Sequence, residues 1–279
     1  LVSSRGLGDV YKRQTPDSLL IRLSNIETWG LLFYRGFIPF IVVLFGLILF
    51  YKTNFFKALI NIGYTGIFYA ISFSVCNVTF IISIQNTSVA NTLIMVAMAP
   101  MLSAFLGALF LKEAPDKKTW LAIIVTFLSV TFIFYDSVKL GNILGDVFGF
   151  ITALGLAINA NLARYAKNRD LVPAAVIGKL GTAAFAFIFV NNFNLVNTDI
   201  IIVPLMCVLC VAIPFVLVTI APRFITAAEV NLFFLLEVII GPIWVWMVIN
   251  ERPSLETIIG GIIIIITIAI HSFLAIKKT

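Results

Sequence analysis

The segment Glu113-Ala-Pro115, closed by Thr119, recurs as Glu251-Arg-Pro253, closed by Thr257. The two copies of Glu-x-Pro-x-x-x-Thr stand 138 residues apart in a chain of 279, each at the end of a long apolar run. The register reaches beyond the motif: Ser88 falls on Thr226, Leu111 on Ile249, and the run from Trp120 on the run from Ile258. An apolar chain written twice on one plan points to a membrane protein built from internal repeats, the plan of many transporters.

Composition identifies the solvent. The chain is 61% hydrophobic and 11% charged, with mean hydropathy +1.09, so it lacks the polar surface of a soluble domain. At roughly 20 apolar residues per span, nine helices are expected. They cover Trp29–Tyr51, Leu59–Ile84, Ser88–Leu111, Trp120–Tyr135, Ile143–Tyr165, Val172–Val190, Ile200–Ala221, Ala227–Ile249 and Leu255–Ile276. The runs are continuous rather than alternating, which favours an all-α polytopic membrane protein over a barrel.

The net charge of +6 describes topology. With a cytoplasmic C-terminus, the loops on that side carry Lys52, Lys57, Lys112, Lys117, Lys118, Arg164, Lys167, Arg169, Arg223, Lys277 and Lys278. The other side carries Arg22, Lys139 and Arg252. That asymmetry is a positive-inside signal, and no nucleic-acid partner is expected. Aligned motif loops set Lys112 on Asn250, Lys117 on Leu255 and Lys118 on Glu256, so the second copy lacks the lysines of the first. Five helices per half would place the two copies on opposite sides, making the repeats inverted.

Nine helices do not divide into two halves of five. Shifting Ile143–Tyr165 back by one register lands on residues 5–27, where Leu1–Gln14 is polar and Gly-containing. Ser4–Gln14 resembles the translated end of a transposon-type sequencing-library adapter. Residues 1–14 are therefore expected to be a library artefact. Residues 15–136 are the first repeat without most of its first helix, and 143–276 the second, giving nine of ten helices. Ser18–Leu23 would be the last turn of the missing helix.

The sequence holds no GxxxxGK[ST] phosphate loop and no HExxH or GxSxG arrangement, and its loops are too short for a soluble catalytic domain. A secondary carrier or facilitator leads, and a membrane-embedded lipid-modifying enzyme is the alternative. No metal or cofactor is expected. Cys76, Cys207 and Cys210 lie inside spans without a neighbouring His or acid and read as packing, as does His271.

Ionisable groups inside spans are the best pointers to a site, since each costs about 2.5–3.5 kcal/mol at a helix centre. Arg35, Lys179, Glu229 and Glu237 qualify. At about 1.5 Å per residue, Glu229 lies about 3 Å inside one boundary, Arg35 about 9 Å inside the other and Lys179 about 10 Å deep. Glu237 lies about 15 Å from the inner end, where a short carboxylate cannot reach water. It needs a cavity, a cation or a proton, or else stays protonated and bonded between helices. Its repeat counterpart is Ala99, so the fold does not require an acid there.

Glu229, Phe233, Glu237 and Gly241 share a helix face, and the paired face carries Asn91, Met95 and Ala99. Pro100 and Pro242 can each kink their helix. Asn77, Asn159, Asn161 and Asn231 add hydrogen-bonding capacity within spans, though interhelical Asn contacts commonly serve packing. Tyr69, Trp244 and Trp246 are candidates for substrate contact, with core or lipid contact as the ordinary role.

The run from Thr87-Ser-Val-Ala-Asn-Thr-Leu through Ala99-Pro100 to Leu109-Phe-Leu-Lys-Glu113 resembles the EamA-type family of the drug/metabolite transporter superfamily. Glu237 to Glu251 resembles the Glu-Pro-Val to Gly-Glu stretch of that family's second half, with Val238 in place of the Pro. Arg35, in Phe33-Tyr-Arg-Gly-Phe, resembles the Arg early in its second helix. The resemblance covers residues 18–276. It implies ten helices in two inverted five-helix repeats around a cavity, cytoplasmic termini and a metabolite or drug as cargo, often exported.

The expectation is a multi-pass secondary transporter of the bacterial inner (plasma) membrane that works by alternating access. Its cargo would be small metabolites such as amino acids or related amines. Glu237 would take the amine or a proton, with Asn91 and Asn231 as polar wall and Arg35 and Lys179 as anion contacts; Tyr69, Asn77 and Asn159 complete the candidate site. Coupling to a proton or counter-substrate, and assembly as a homodimer, are both open to such a chain.

Overall fold

Lipid offers a peptide backbone no hydrogen-bond partner, so the apolar runs satisfy themselves as helices. The computed structural model describes residues 15–112, 115–166, 169–220 and 227–276, without the side chains of 140, 217–220, 227–236 and 275–276. In chain order the helices are α1 (Asp17–Leu23), α2 (Thr28–Tyr51), α3 (Phe55–Ile60), α4 (Gly63–Asn86), α5 (Val89–Ala97), α6 (Ala99–Phe110) and α7 (Lys117–Leu140). There follow α8 (Ile143–Tyr165), α9 (Val172–Phe189), α10 (Asp199–Met206), a π-helical segment (Cys207–Ala212), α11 (Ile213–Ile220), α12 (Ala227–Ile249) and α13 (Leu255–Ile276). Among the described residues, 8 helical stretches are long and apolar enough to cross a membrane, and Glu237–Ile249 in α12 forms a shorter apolar helix. The molecule is an all-α polytopic membrane protein.

The repeat register recurs in the packing. Three helices lie against their own counterparts: α2 against α9, α5 against α12 and α7 against α13. Each pair is antiparallel. Trp29 meets Phe189 at 4.9 Å; Val89 at the start of α5 meets Glu251 just past the end of α12; Thr119 meets His271 at 2.9 Å. Counterparts that face each other head to tail are what a two-fold axis in the membrane plane produces. Small residues allow the close approaches, as membrane helix pairs require. At Gly36 an added Cβ would stand 2.6 Å from the Ala183 backbone nitrogen, so even alanine would push α2 off α9.

The doubled motif is a pair of helix caps. Asp116 accepts a hydrogen bond from the Thr119 backbone N–H at 2.8 Å and opens α7. Ser254 accepts one from the Thr257 N–H at 3.2 Å and opens α13. Each thus satisfies a donor that the first helical turn leaves orphaned. Glu251 works across the repeats, its Oε1 accepting from the Val89 N–H at 2.7 Å. Glu113 lies outside the described residues.

The expected span Ser88–Leu111 is broken, with Met98 between α5 and α6 and its N–H turned to the Met95 carbonyl at 3.0 Å. Pro100 has no N–H to continue the ladder and stands in the first turn of α6, where no intrahelical donor is needed. Pro242 leaves α12 continuous. The preceding residue is Gly241, which has no Cβ to meet the proline ring. The expected span Ile200–Ala221 instead holds a π-helical stretch between Pro204 and Pro214, where the Ile213 N–H reaches back five residues to Val208.

Candidate functional site

Helix geometry sorts the polar residues by depth. Call the near end that of the loops after α1, α4, α7, α9 and α12, and the far end that of the loops after α3, α6, α8 and α11. At about 1.5 Å per residue, Arg35 lies about 10 Å from the near end, Asn77 about 14 Å, Lys179 about 15 Å and Glu237 about 18 Å. These four occupy the middle of the bundle. Asn159 and Tyr69 lie closer to the far end, and Asn91 lies at the near end, on the first turn of α5.

Arg35 does not stand alone. Its Nη1 and Nη2 donate to Asp17 Oδ1 and Oδ2 at 2.7 and 2.8 Å, a bidentate pair that is buried on both sides. The fork geometry of guanidinium and carboxylate makes this the strongest form of ion pair. Asp17 was not singled out in the sequence, because it sits beside the polar N-terminal stretch and reads there as loop. In the structure it opens α1, which packs against α12 and α10. The Thr15 hydroxyl accepts from Trp244 Nε1 at 3.3 Å, seating the same segment on α12.

Glu237 is 5% exposed and lies within electrostatic reach of both Asp17 and Arg35. No described residue donates a hydrogen bond to it. Lys179 is 3% exposed and lies within reach of the same pair. Its ammonium donates to Asn77 Oδ1 at 2.5 Å and stands 5.3 Å from the Phe73 ring and 5.8 Å from the Phe215 ring. No described carboxylate lies within ion-pairing distance of it. Asn77 is held in turn by its own donation to the Phe73 carbonyl at 2.7 Å. The π-helical turn that carries Cys207 and Cys210 packs against α2, placing both buried thiols near Arg35. The centre of the bundle thus gathers two acids and two bases from both halves, and among the described residues only Asp17 and Arg35 pair.

The remaining candidates are distributed differently. Tyr69 is buried and stacks on Phe73 at 6.1 Å. Asn159 donates weakly to Cys76 Sγ at 3.9 Å, and its buried Oδ1 has no partner. Asn161 donates to Ser103 and Ala157, also leaving Oδ1 without a partner. Asn91 joins a closed network with Thr87, Ser137, Asp146 and Thr257. Its amide nitrogen donates to Asp146 and Ser137, and its oxygen accepts from Thr257 at 2.6 Å. The side chains of Asn231 and Glu229 lie outside the described residues.

Comparison with known proteins agrees with this architecture. The model of the EamA-like transporter family matches residues 19–135 and 143–273. A protein of Bacillus subtilis (strain 168) named "Uncharacterized transporter YdfC" is 23% identical over 189 residues, which is 64% of this chain. That match spans 61% of the relative's own length. A protein of known crystal structure superposes with TM-score 0.67 at 14% identity, over 99% of this chain and 98% of its own, which shows a shared fold.

Proposed function

The chain belongs to the EamA-like transporter family, a membrane transporter rather than an enzyme, and on that premise we propose that it exports amino acids or related small amines across the bacterial inner membrane. The lipid-modifying alternative falls with that membership. The observation that carries the substrate class is the pair of unmatched buried charges, Glu237 and Lys179. A charge at mid-membrane depth costs about 2.5–3.5 kcal/mol unless something matches it. Asp17 consumes the charge of Arg35 in a two-point pair. Glu237 is left as a seat for an ammonium group or a proton, and Lys179 as a seat for a carboxylate. A zwitterion satisfies both.

Transport by alternating access follows if the repeats rock about the antiparallel pairs α2–α9, α5–α12 and α7–α13. The near end is tied across the repeats by Arg22 to Glu251 at 3.3 Å, by Asn91 to Thr257 and by Thr87 to Asp146 at 2.6 Å. Opening toward the near side has to break these bonds. The basic far end faces the cytoplasm by the positive-inside rule, together with the C-terminus. A proton taken up by Glu237, or a counter-substrate, resets the empty carrier.

The test is uptake of radiolabelled amino acids into proteoliposomes holding the wild type, Glu237→Gln or Lys179→Gln. Loss of flux of at least about tenfold in both, with normal insertion, is expected. Undiminished flux in Glu237→Gln would remove the site assignment.

A further inference from the structure

At the far end the chain between α2 and α4 does not simply turn. It makes a short 3₁₀ turn, Lys52–Asn54, and then lays α3 along the bundle before α4 begins. Beside α3 opens a cavity of about 600 Å³, lined by Tyr51, Asn54, Lys57, Ala58, Asn61, Arg169 and Asp170. No transport step described above uses it.

Two cations and one acid line the cavity among the described residues, which leaves it net positive. Lys57 is exposed, and no described carboxylate pairs with it. Among the described residues the Arg169 guanidinium donates to the Ile62 carbonyl alone, at 3.3 Å. Among the described lining residues the one acid is Asp170, whose carboxylate accepts from the Tyr51 hydroxyl and from the Val172 N–H at 3.0 Å and offsets one of the two cations. Asn54 and Asn61 add neutral donors.

Arg169 is also held in place. Gly63 has φ +59, and a Cβ there would stand 2.1 Å from Arg169 Nη1, so the guanidinium occupies the space a side chain would take. The surroundings are those of a bilayer boundary. Phe50, Phe56, Ile60 and Tyr64 are each at least 73% exposed on the same short stretch of chain. A polar cationic cleft flanked by exposed aromatic and aliphatic groups matches a molecule with an anionic head and apolar tails.

We propose that this cleft binds the phosphate headgroup of an anionic phospholipid, with Lys57 and Arg169 on the phosphate, Asn54 and Asn61 on the headgroup hydroxyls, and acyl chains along Phe56, Ile60 and Tyr64. A free phosphate offers the same oxygens without the tails, so the test separates the two. The full chain, purified in a neutral detergent, is titrated with phosphatidylglycerol, with phosphatidylcholine, and with inorganic phosphate, following its melting temperature.

Phosphatidylglycerol should raise the melting temperature by several degrees, with phosphatidylcholine and phosphate giving less than a third of that shift. Lys57→Gln, an exposed change that leaves the fold's hydrogen bonds alone, should halve the shift, and the pair Lys57→Gln with Arg169→Gln should remove it. A shift unchanged in Lys57→Gln would overturn the site. Equal protection by inorganic phosphate would overturn the lipid in favour of a soluble ligand.

Discussion

Asp146 and Glu237 are both buried carboxylates without a cation, and the protein treats them in opposite ways. Asp146 is 0% exposed and accepts from the Thr87 hydroxyl at 2.6 Å, the Ser137 hydroxyl at 2.5 Å and the Asn91 amide at 3.2 Å. It also stands in the first turn of α8, where the helix dipole favours an anion. The loop after α4, the first turn of α5 and the end of α7 each contribute a donor to it. Glu237 has no donor among the described residues and stands mid-helix, where no orphan N–H is available. Among the described residues the fold completes the first acid and leaves the second incomplete. A satisfied carboxylate is architecture, whereas one without a described donor at mid-membrane depth is what the proposed seat for an amine or proton rests on.

Stability measurements can break that contrast. Arg35→Met strands Asp17 in the bundle, and a loss of about 3–5 kcal/mol is expected, with Asp17→Leu in the same chain restoring most of it. Chemical unfolding in detergent micelles reads this directly, and failure of the second change to rescue would show that the pair is not the cause. Asp146→Ala should cost about 3 kcal/mol, because three buried donors lose their acceptor together. If its melting curve matches wild type, the near-end network is not structural. Ser254→Ala removes one cap and should lower stability by about 1 kcal/mol. The smallest effect belongs to Glu237→Gln, expected within about 1 kcal/mol of wild type, since it loses no hydrogen bond to a described residue. A large destabilisation there would turn Glu237 into a second Asp146.

Much of the fold is legible in the repeat register. Val89 and Ala227 start their helices one register apart, and so do Lys117 and Leu255, because both halves solve the same capping problem with the same spacing. Burial of Arg35, Lys179 and Glu237 is legible too, as ionisable groups inside apolar runs have no other place to go. Partners are less legible. Asp17 forms its pair 18 positions along the chain, across a loop, and nothing in its polar neighbourhood marks it as buried. Asn91 has the spacing of a wall residue of the central site, yet its bonds run to Ser137, Asp146 and Thr257 at the near end. Periodicity assigns a face, but depth along that face decides between a site and a clasp.

The bond from the Val89 N–H to Glu251 spans 162 positions. The first half therefore leaves the ribosome with the head of α5 still lacking that acceptor, and it stays so until nearly the whole second half has been made. Ser88, which accepts from the Asn91 N–H at 3.1 Å, guards the same helix end in the meantime. Synthesis order thus makes this near-end contact wait for the second copy of the motif, which supplies the group that closes it.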